Sequence, residues 1–239
     1  MSDPKTISDT RDQLHWATQL LSAAADAKLE KADDDSHSNV GWDGKNNQLA
    51  GRSGCTISVE NFTLNDGSQS LSLGGKTLEE AREWLSDSLG EKLVFRDYEM
   101  PAHAVKDGAP FNPESAHLES ICSWFSFAQN ELADRGELRI WPHHFDMGFW
   151  APGEVDGKSI GGGFSLGDSS YDQPYFYINP YGVDRPEGLT DLPVGHWSDH
   201  WFGAVLTSEE MDSWSGDNAD AARNYIRAAV EACEGLFKQ

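Results

Sequence analysis

Hydrophobic spacing divides the chain into helical and strand-like stretches. Leu14, Ala17, Leu20, Leu21, Ala24, Ala25 and Leu29 recur at helical intervals and share one face. Polar turn residues then lead into two strand-like stretches, residues 36–42 and 56–62. Thr77-Leu78-Glu79-Glu80 has the form of a capping box, in which the Thr hydroxyl and the Glu carboxylate satisfy free amides at a helix start. Leu78, Ala81, Trp84, Leu85 and Leu89 supply the buried face of that helix, and Gly90 suits the left-handed position that ends it. A connector containing Pro and Gly, residues 96–113, precedes a third helix that Pro113 can open and Gly136 can stop. Strands are predicted at residues 138–150, 161–166, 175–179 and 201–206. Thr207-Ser208-Glu209-Glu210 repeats the capping box, and a last helix spans about residues 219–237.

This order predicts an α+β fold, an antiparallel or mixed sheet with helices packed on it, in two similar halves. The expected division is a disordered N-terminus at 1–8, a half at 9–95, the connector, and a half at 114–239 that carries the site. The halves are expected to pack as one globular unit. Ser36-His37-Ser38-Asn39-Val40-Gly41-Trp42 aligns without gaps on His143-His144-Phe145-Asp146-Met147-Gly148-Phe149, which suggests an internal duplication. Asp43-Gly44-Lys45 then meets Asp156-Gly157-Lys158 after an insertion.

Composition narrows the partners. Apolar residues make up 38% and aromatics 11% of the 239 residues, enough for a substantial core. Forty acidic residues against 18 basic ones give a net charge of −22. Such a surface repels nucleic acid and anionic membranes, so neither is expected as a partner, and it suits a saline habitat as readily as a function. Cys55, Cys122 and Cys233 are odd in number and widely spaced, which fits a reducing compartment. No apolar signal core opens the chain and no run approaches the ~20 apolar residues of a membrane helix. A cytoplasmic location is the expectation.

The segment Trp141-Pro142-His143-His144-Phe145-Asp146 concentrates the candidate chemistry. On a strand, side chains alternate between faces. Phe145, Met147 and Phe149 would then face the core, and His144, Asp146 and Gly148 the other side. A His and an Asp two apart on one face are within reach of a common metal ion or substrate proton. A glycine two residues on leaves room for a ligand to approach the sheet. His144 and Asp146 are therefore candidate catalytic residues, as an acid–base pair, or ligands of a divalent transition metal. The competing reading is a hydrogen-bonded polar pair on a wetted sheet face.

The second half resembles a family of bacterial proteins to which the resemblance attaches no activity. In that family a helix is followed by Trp-Pro-(Glu or His)-His-Phe-Asp, then Ser-x-Gly-Asp, Pro-Tyr-x-Tyr and an aromatic Gly-Ala strand. Here these are Trp141 to Asp146, Ser165-Leu166-Gly167-Asp168, Pro174-Tyr175-Phe176-Tyr177 and Trp201-Phe202-Gly203-Ala204. The resemblance covers about residues 110–239 and implies a site at this segment. His143 and Gln173 depart from the family's usual Glu, so roles needing a carboxylate at either position are in doubt.

Other constellations are weaker. His196 and His200, four apart, could join His144 on a metal, but Pro193 and Gly195 argue against the helix that would align them, and surface histidines in an aromatic loop are the plainer reading. Gly163-Phe164-Ser165-Leu166-Gly167 matches a nucleophile elbow, yet glycines precede it and no helical pattern follows. Ser165 and Asp168 read better as polar contacts beside the site. Tyr175 and Tyr177 alternate with Phe176 and Ile178, leaving a tyrosine face that Trp150 and Trp197 could extend into a pocket.

Three functions follow from these residues. One is an enzyme in which His144 and Asp146 act on a small polar molecule held by Ser165, Asp168, Tyr175, Tyr177 and Trp197, with a divalent transition metal as a candidate cofactor at His144, Asp146, His196 and His200. The second is a non-catalytic protein that binds a small molecule or carbohydrate on the aromatic-lined sheet face. The third is an interaction protein, a homodimer joined through Trp197 and Trp201.

Overall fold

A computed structural model describes residues 7–238 of the chain. The fold is α+β, and every described strand pairing is antiparallel. Its contacts divide it into two compact units, Met1–Ser126 with Arg139–Phe145 and Phe127–Leu138 with Asp146–Gln239. The expected disorder at residues 1–8 falls outside the described residues except at Ile7, which is buried, and Ser8, which opens the first helix.

In the first unit, helix α1 (Ser8–Lys28) is the central element. It is buried on every side from Gln13 to Ala25, not only on the leucine–alanine face. The polar residues on its other faces bond inward: Trp16 Nε1 donates to the Pro101 carbonyl at 3.0 Å, and the Gln13 amide oxygen accepts from Asn112 N–H at 2.7 Å. Residues 96–113 are thus packed chain; Phe111 is fully buried. Strands β1 (Val40–Asp43), β2 (Gln48–Gly51), β3 (Thr56–Ser58), β4 (Thr63–Asn65) and β5 (Ser70–Ser72) form a meander. Helix α2 (Leu78–Leu89) follows, with the Thr77 capping box complete and Gly90 left-handed at its end. Helix α3 (Ser115–Leu132) starts in this unit, and its residues from Phe127 belong to the other. The short strand β6 (Arg139–Ile140) returns to pair with β1.

The second unit is a sheet in the order β10-β11-β9-β8-β7, from β7 (Asp146–Pro152), β8 (Ser159–Ser165), β9 (Tyr175–Tyr181), β10 (His196–Trp197) and β11 (Ala204–Thr207). The second capping box, at Thr207, starts the short helix α4 (Ser208–Asp212), and Asp217 caps α5 (Asn218–Phe237). Helix α5 buries Ala221, Ala222, Tyr225, Ile226, Ala229 and Cys233, which recur at helical intervals. Met147, Phe164, Phe176 and Leu206 lie in one register row and are all buried.

Several predicted strands are shorter than their hydrophobic pattern; 56–62 is strand only at Thr56–Ser58, and 201–206 only from Ala204. Residues 36–38 form a 3-10 turn before β1, and the stretch 138–150 is broken between β6 and β7. The aligned segments of the two halves each lead into a hairpin, β1–β2 and β7–β8. Hairpins are too common a unit for this to bear on a duplication.

Candidate functional site

Residues 142–144 form a turn that precedes β7. The Trp141 carbonyl accepts from His144 N–H at 3.2 Å and from Phe145 N–H at 2.7 Å. Phe145 then takes a left-handed conformation, φ 56°, where a side chain is disfavoured. Packing holds it there: it is 2% exposed, stacked on His15 at 5.1 Å and met edge-on by Phe125 at 5.6 Å. The His15 ring and Gln19 both reach the Pro142 carbonyl, at 2.8 and 2.6 Å. Burial pushes the His15 imidazole down to about 4, against the lift from its Pro142 bond.

This turn corrects the strand geometry inferred for His144 and Asp146. The strand begins at Asp146, so alternation does not extend back to His144. His144 is exposed and belongs to the first unit, beside His143 at 4.1 Å between ring centroids; Asp146 belongs to the second. His143 also meets Tyr98 and Trp141, and burial, then the neighbouring His144, lowers it to about 4.

In the second unit the strand register places Asp146, Ser165, Tyr175, Tyr177 and His196 on one sheet face. Asp146, Ser165, Tyr175 and Thr207 form one row; Gly148, Gly163, Tyr177, Val205 and His196 the next; Trp150, Gly161 and Asn179 the third; Pro152, Ser159 and Tyr181 the fourth. Tyr177 reaches diagonally across Gly163 to donate its hydroxyl to Asp146 Oδ2. A Cβ on Gly163 would stand 2.7 Å from the Tyr177 hydroxyl and 2.3 Å from the Met147 carbonyl. One on Gly161 would stand 2.8 Å from the Tyr181 ring, and one on Gly162, facing the core, 2.6 Å from Ile178. The glycine run of β8 is therefore a bed for the β9 side chains. Burial, and then the Asp146 carboxylate, hold the Tyr177 phenol well above its ordinary range.

Asp168 staples the turn after β8. Its Oδ1 accepts from Ser170 N–H at 2.7 Å and Tyr171 N–H at 3.1 Å, and its Oδ2 from the Tyr175 hydroxyl at 2.5 Å. Burial, with the Asp168 charge added, raises the Tyr175 phenol. Ser165 is buried, its hydroxyl accepts from Gly167 N–H at 3.1 Å, and no helix follows it. Gln173 holds the start of a helix: its amide oxygen accepts from Ser208 Oγ at 2.7 Å and Glu209 N–H at 2.9 Å.

At the far edge, Tyr171, His196 and Glu210 form a chain. Glu210 Oε1 lies 2.8 Å from His196 Nδ1, and His196 Nε2 lies 3.1 Å from the Tyr171 hydroxyl. That hydroxyl also bonds to Ser198 Oγ at 3.1 Å, while Glu210 Oε2 completes the α4 capping box. His200 is exposed and meets the Tyr171 ring edge-on at 5.4 Å. Trp197 pairs with Ala204 in the row of Ile178, the face opposite Tyr177; its indole donates to the Thr190 carbonyl. The tryptophan that joins the tyrosines is Trp201, 6.2 Å from Tyr175 and bonded to Asn179 Oδ1 at 3.0 Å. Gly203 allows this, since a Cβ there would stand 1.9 Å from that oxygen.

The residues that sequence reasoning passed over are Tyr171, Tyr181 and Glu210. Tyr181 follows the Tyr175–Tyr177 alternation and could have been read from it; Glu210 was assigned only its capping role. Trp150 is 65% and Tyr181 50% exposed, on adjacent rows, and the Tyr181 ring covers Gly161, the residue that Trp150 pairs with. Among the described residues no group of three or more His, Cys, Asp or Glu is placed to hold a metal ion. No family model, curated protein or solved structure matches the chain.

Proposed function

We propose that the protein binds a carbohydrate, or a similarly flat polyol, on the glycine-lined aromatic face of its second unit. The observation that carries this is the exposed pair Trp150 and Tyr181 on adjacent rows of one sheet face, the Tyr181 ring lying over Gly161. Large aromatics scattered singly over a surface need no explanation, but two side by side on one sheet face, one of them laid over a glycine, make a platform. Aromatic faces carry partial negative charge and attract the polarised C–H groups of a sugar ring. Asn179, in the Trp150 row, adds a polar group, and the buried tyrosines bonded to Asp146 and Asp168 make the bed rigid. The test is calorimetric titration with cellohexaose and maltohexaose. Saturable binding to one of them, weakened at least tenfold in Trp150→Ala and in Tyr181→Ala at unchanged melting temperature, supports the proposal. Absence of binding to either, or full affinity in both variants, sinks it.

A second reading, catalysis on the bound molecule, is favoured by the Glu210–His196–Tyr171 chain. A carboxylate that orients an imidazole against a phenol is an arrangement suited to moving a proton. Here the expected result is conversion of the bound oligosaccharide, followed by chromatography, that His196→Gln abolishes while binding persists. An oligosaccharide recovered unchanged after prolonged incubation removes this reading and leaves the binding one intact.

A further inference from the structure

We infer a second ligand site on the opposite, core-facing side of the same sheet, for a free amino acid with an aliphatic or aromatic side chain. A cavity of about 220 Å³ opens between the β7–β8 hairpin arm and the C-terminal end of α5. Its apolar wall is Phe149, Val155, Ile160, Val230 and Phe237. Phe149, Ile160 and Phe237 are buried, whereas Val155 is 38% exposed at the mouth. Gly153 lets the wall close, because a Cβ there would stand 3.1 Å from the Phe237 ring and 2.9 Å from the Lys158 carbonyl. An engineered apolar cavity of about 150 Å³ already admits benzene, so this one has room for a branched or aromatic side chain.

The rim carries both signs of charge. Arg135 and Lys238 line it together with Asp134, Glu154 and Glu234, and Lys158 lies over the Phe237 ring at 5.9 Å. In a chain of net charge −22 an arginine would be expected to sit in an ion pair. The half-buried Arg135 forms none, and no hydrogen bond, with any described residue. Its guanidinium presents a planar fork that matches a carboxylate. Glu154 and Glu234, likewise unengaged and exposed, supply the complement for an ammonium group. An apolar floor ringed by unpaired charges of both signs fits a zwitterion with an apolar body. A fatty acid would set its carboxylate against the three acidic side chains of the rim, and a simple amine would leave Arg135 without a partner.

The experiment is isothermal titration with L-leucine and L-phenylalanine, compared with 4-methylpentanoate and 3-methylbutylamine, which lack the leucine ammonium and carboxylate respectively. The expected result is saturable binding of one of the two amino acids, with both analogues at least tenfold weaker than L-leucine or silent. Arg135→Gln should weaken the amino acid at least tenfold and leave the melting temperature unchanged. Val230→Trp, which fills the cavity, should abolish binding, while the platform variant Trp150→Ala should leave it untouched. No heat from either amino acid, equal binding of 4-methylpentanoate, or unchanged affinity in Arg135→Gln would overturn the inference. Because its ligand and variants differ from those of the carbohydrate face, either proposal can fail without the other.

Discussion

His15 shows how one residue ties the turn at Trp141–Phe145 to the acid response of the first unit. Its ring supports Phe145 and bonds to the Pro142 carbonyl, and burial holds it at about 4 in the fold against an ordinary 6.5. Above pH 6.5 the folded and unfolded chains both carry it neutral, so it adds no pH dependence. Between pH 6.5 and 4 the unfolded chain takes up a proton that the fold refuses, and stability falls by roughly 3 kcal/mol in total. Below pH 4 the loss levels off. Asp26 acts in a lower window. Burial alone would raise its carboxyl, but the paired bonds from Arg96 at 2.6 Å and from His37 outweigh this and lower it. Its contribution is therefore complete above the ordinary carboxylate value of 3.8 and is lost as pH falls through the lowered one. Urea titrations of His15→Gln from pH 7 to 4 should show a flatter decline in stability than the wild type. An identical slope in the two proteins would remove His15 as the cause.

At the scale of elements, β8 is the piece on which the second unit depends. Each of its three glycines is filled from a neighbouring strand: Gly161 by Tyr181, Gly162 by Phe149 and Ile178, and Gly163 by Tyr177. Gly163→Ala should cost about 3 kcal/mol, since the obstructing atom is the Met147 backbone carbonyl, which cannot move aside. Thermal denaturation should then show a drop on the order of 10 °C, and a change within about 1 °C would contradict the packing described. Elements whose signal is local were legible in the sequence. Both capping boxes and the left-handed Gly90 are where spacing and side-chain chemistry place them. Breaks caused by distant packing were not. Phe145 reads as an inward strand residue; only contact with His15 and Phe125, far away in sequence, shows it as a left-handed turn. Phe62 is similar, with φ 44° between β3 and β4 inside a stretch patterned as one strand. Once alternation fails at Phe145, it no longer places His144 on the face of Asp146. Downstream of that break the same rule held, and it grouped Asp146, Ser165, Tyr175 and Tyr177 on one face.

At the scale of the molecule, the contact units do not follow the expected division at 96–113. Residues 114–126 and 139–145 belong with α1 and the meander, and α3 runs from one unit into the other. Trp16 and Gln13 explain part of this, because their bonds fix the connector against α1. The acidic surface, the exposed platform and the charged rim of the cavity all concern recognition, and the proposed carbohydrate face is the central claim among them. Titration of wild-type protein and Trp150→Ala with cellohexaose and maltohexaose addresses it most directly. The expected result is saturable binding of one hexaose by the wild type and at least a tenfold loss in the variant, with folding unchanged. A wild type that binds neither hexaose, or a variant that binds as tightly as the wild type, would contradict it.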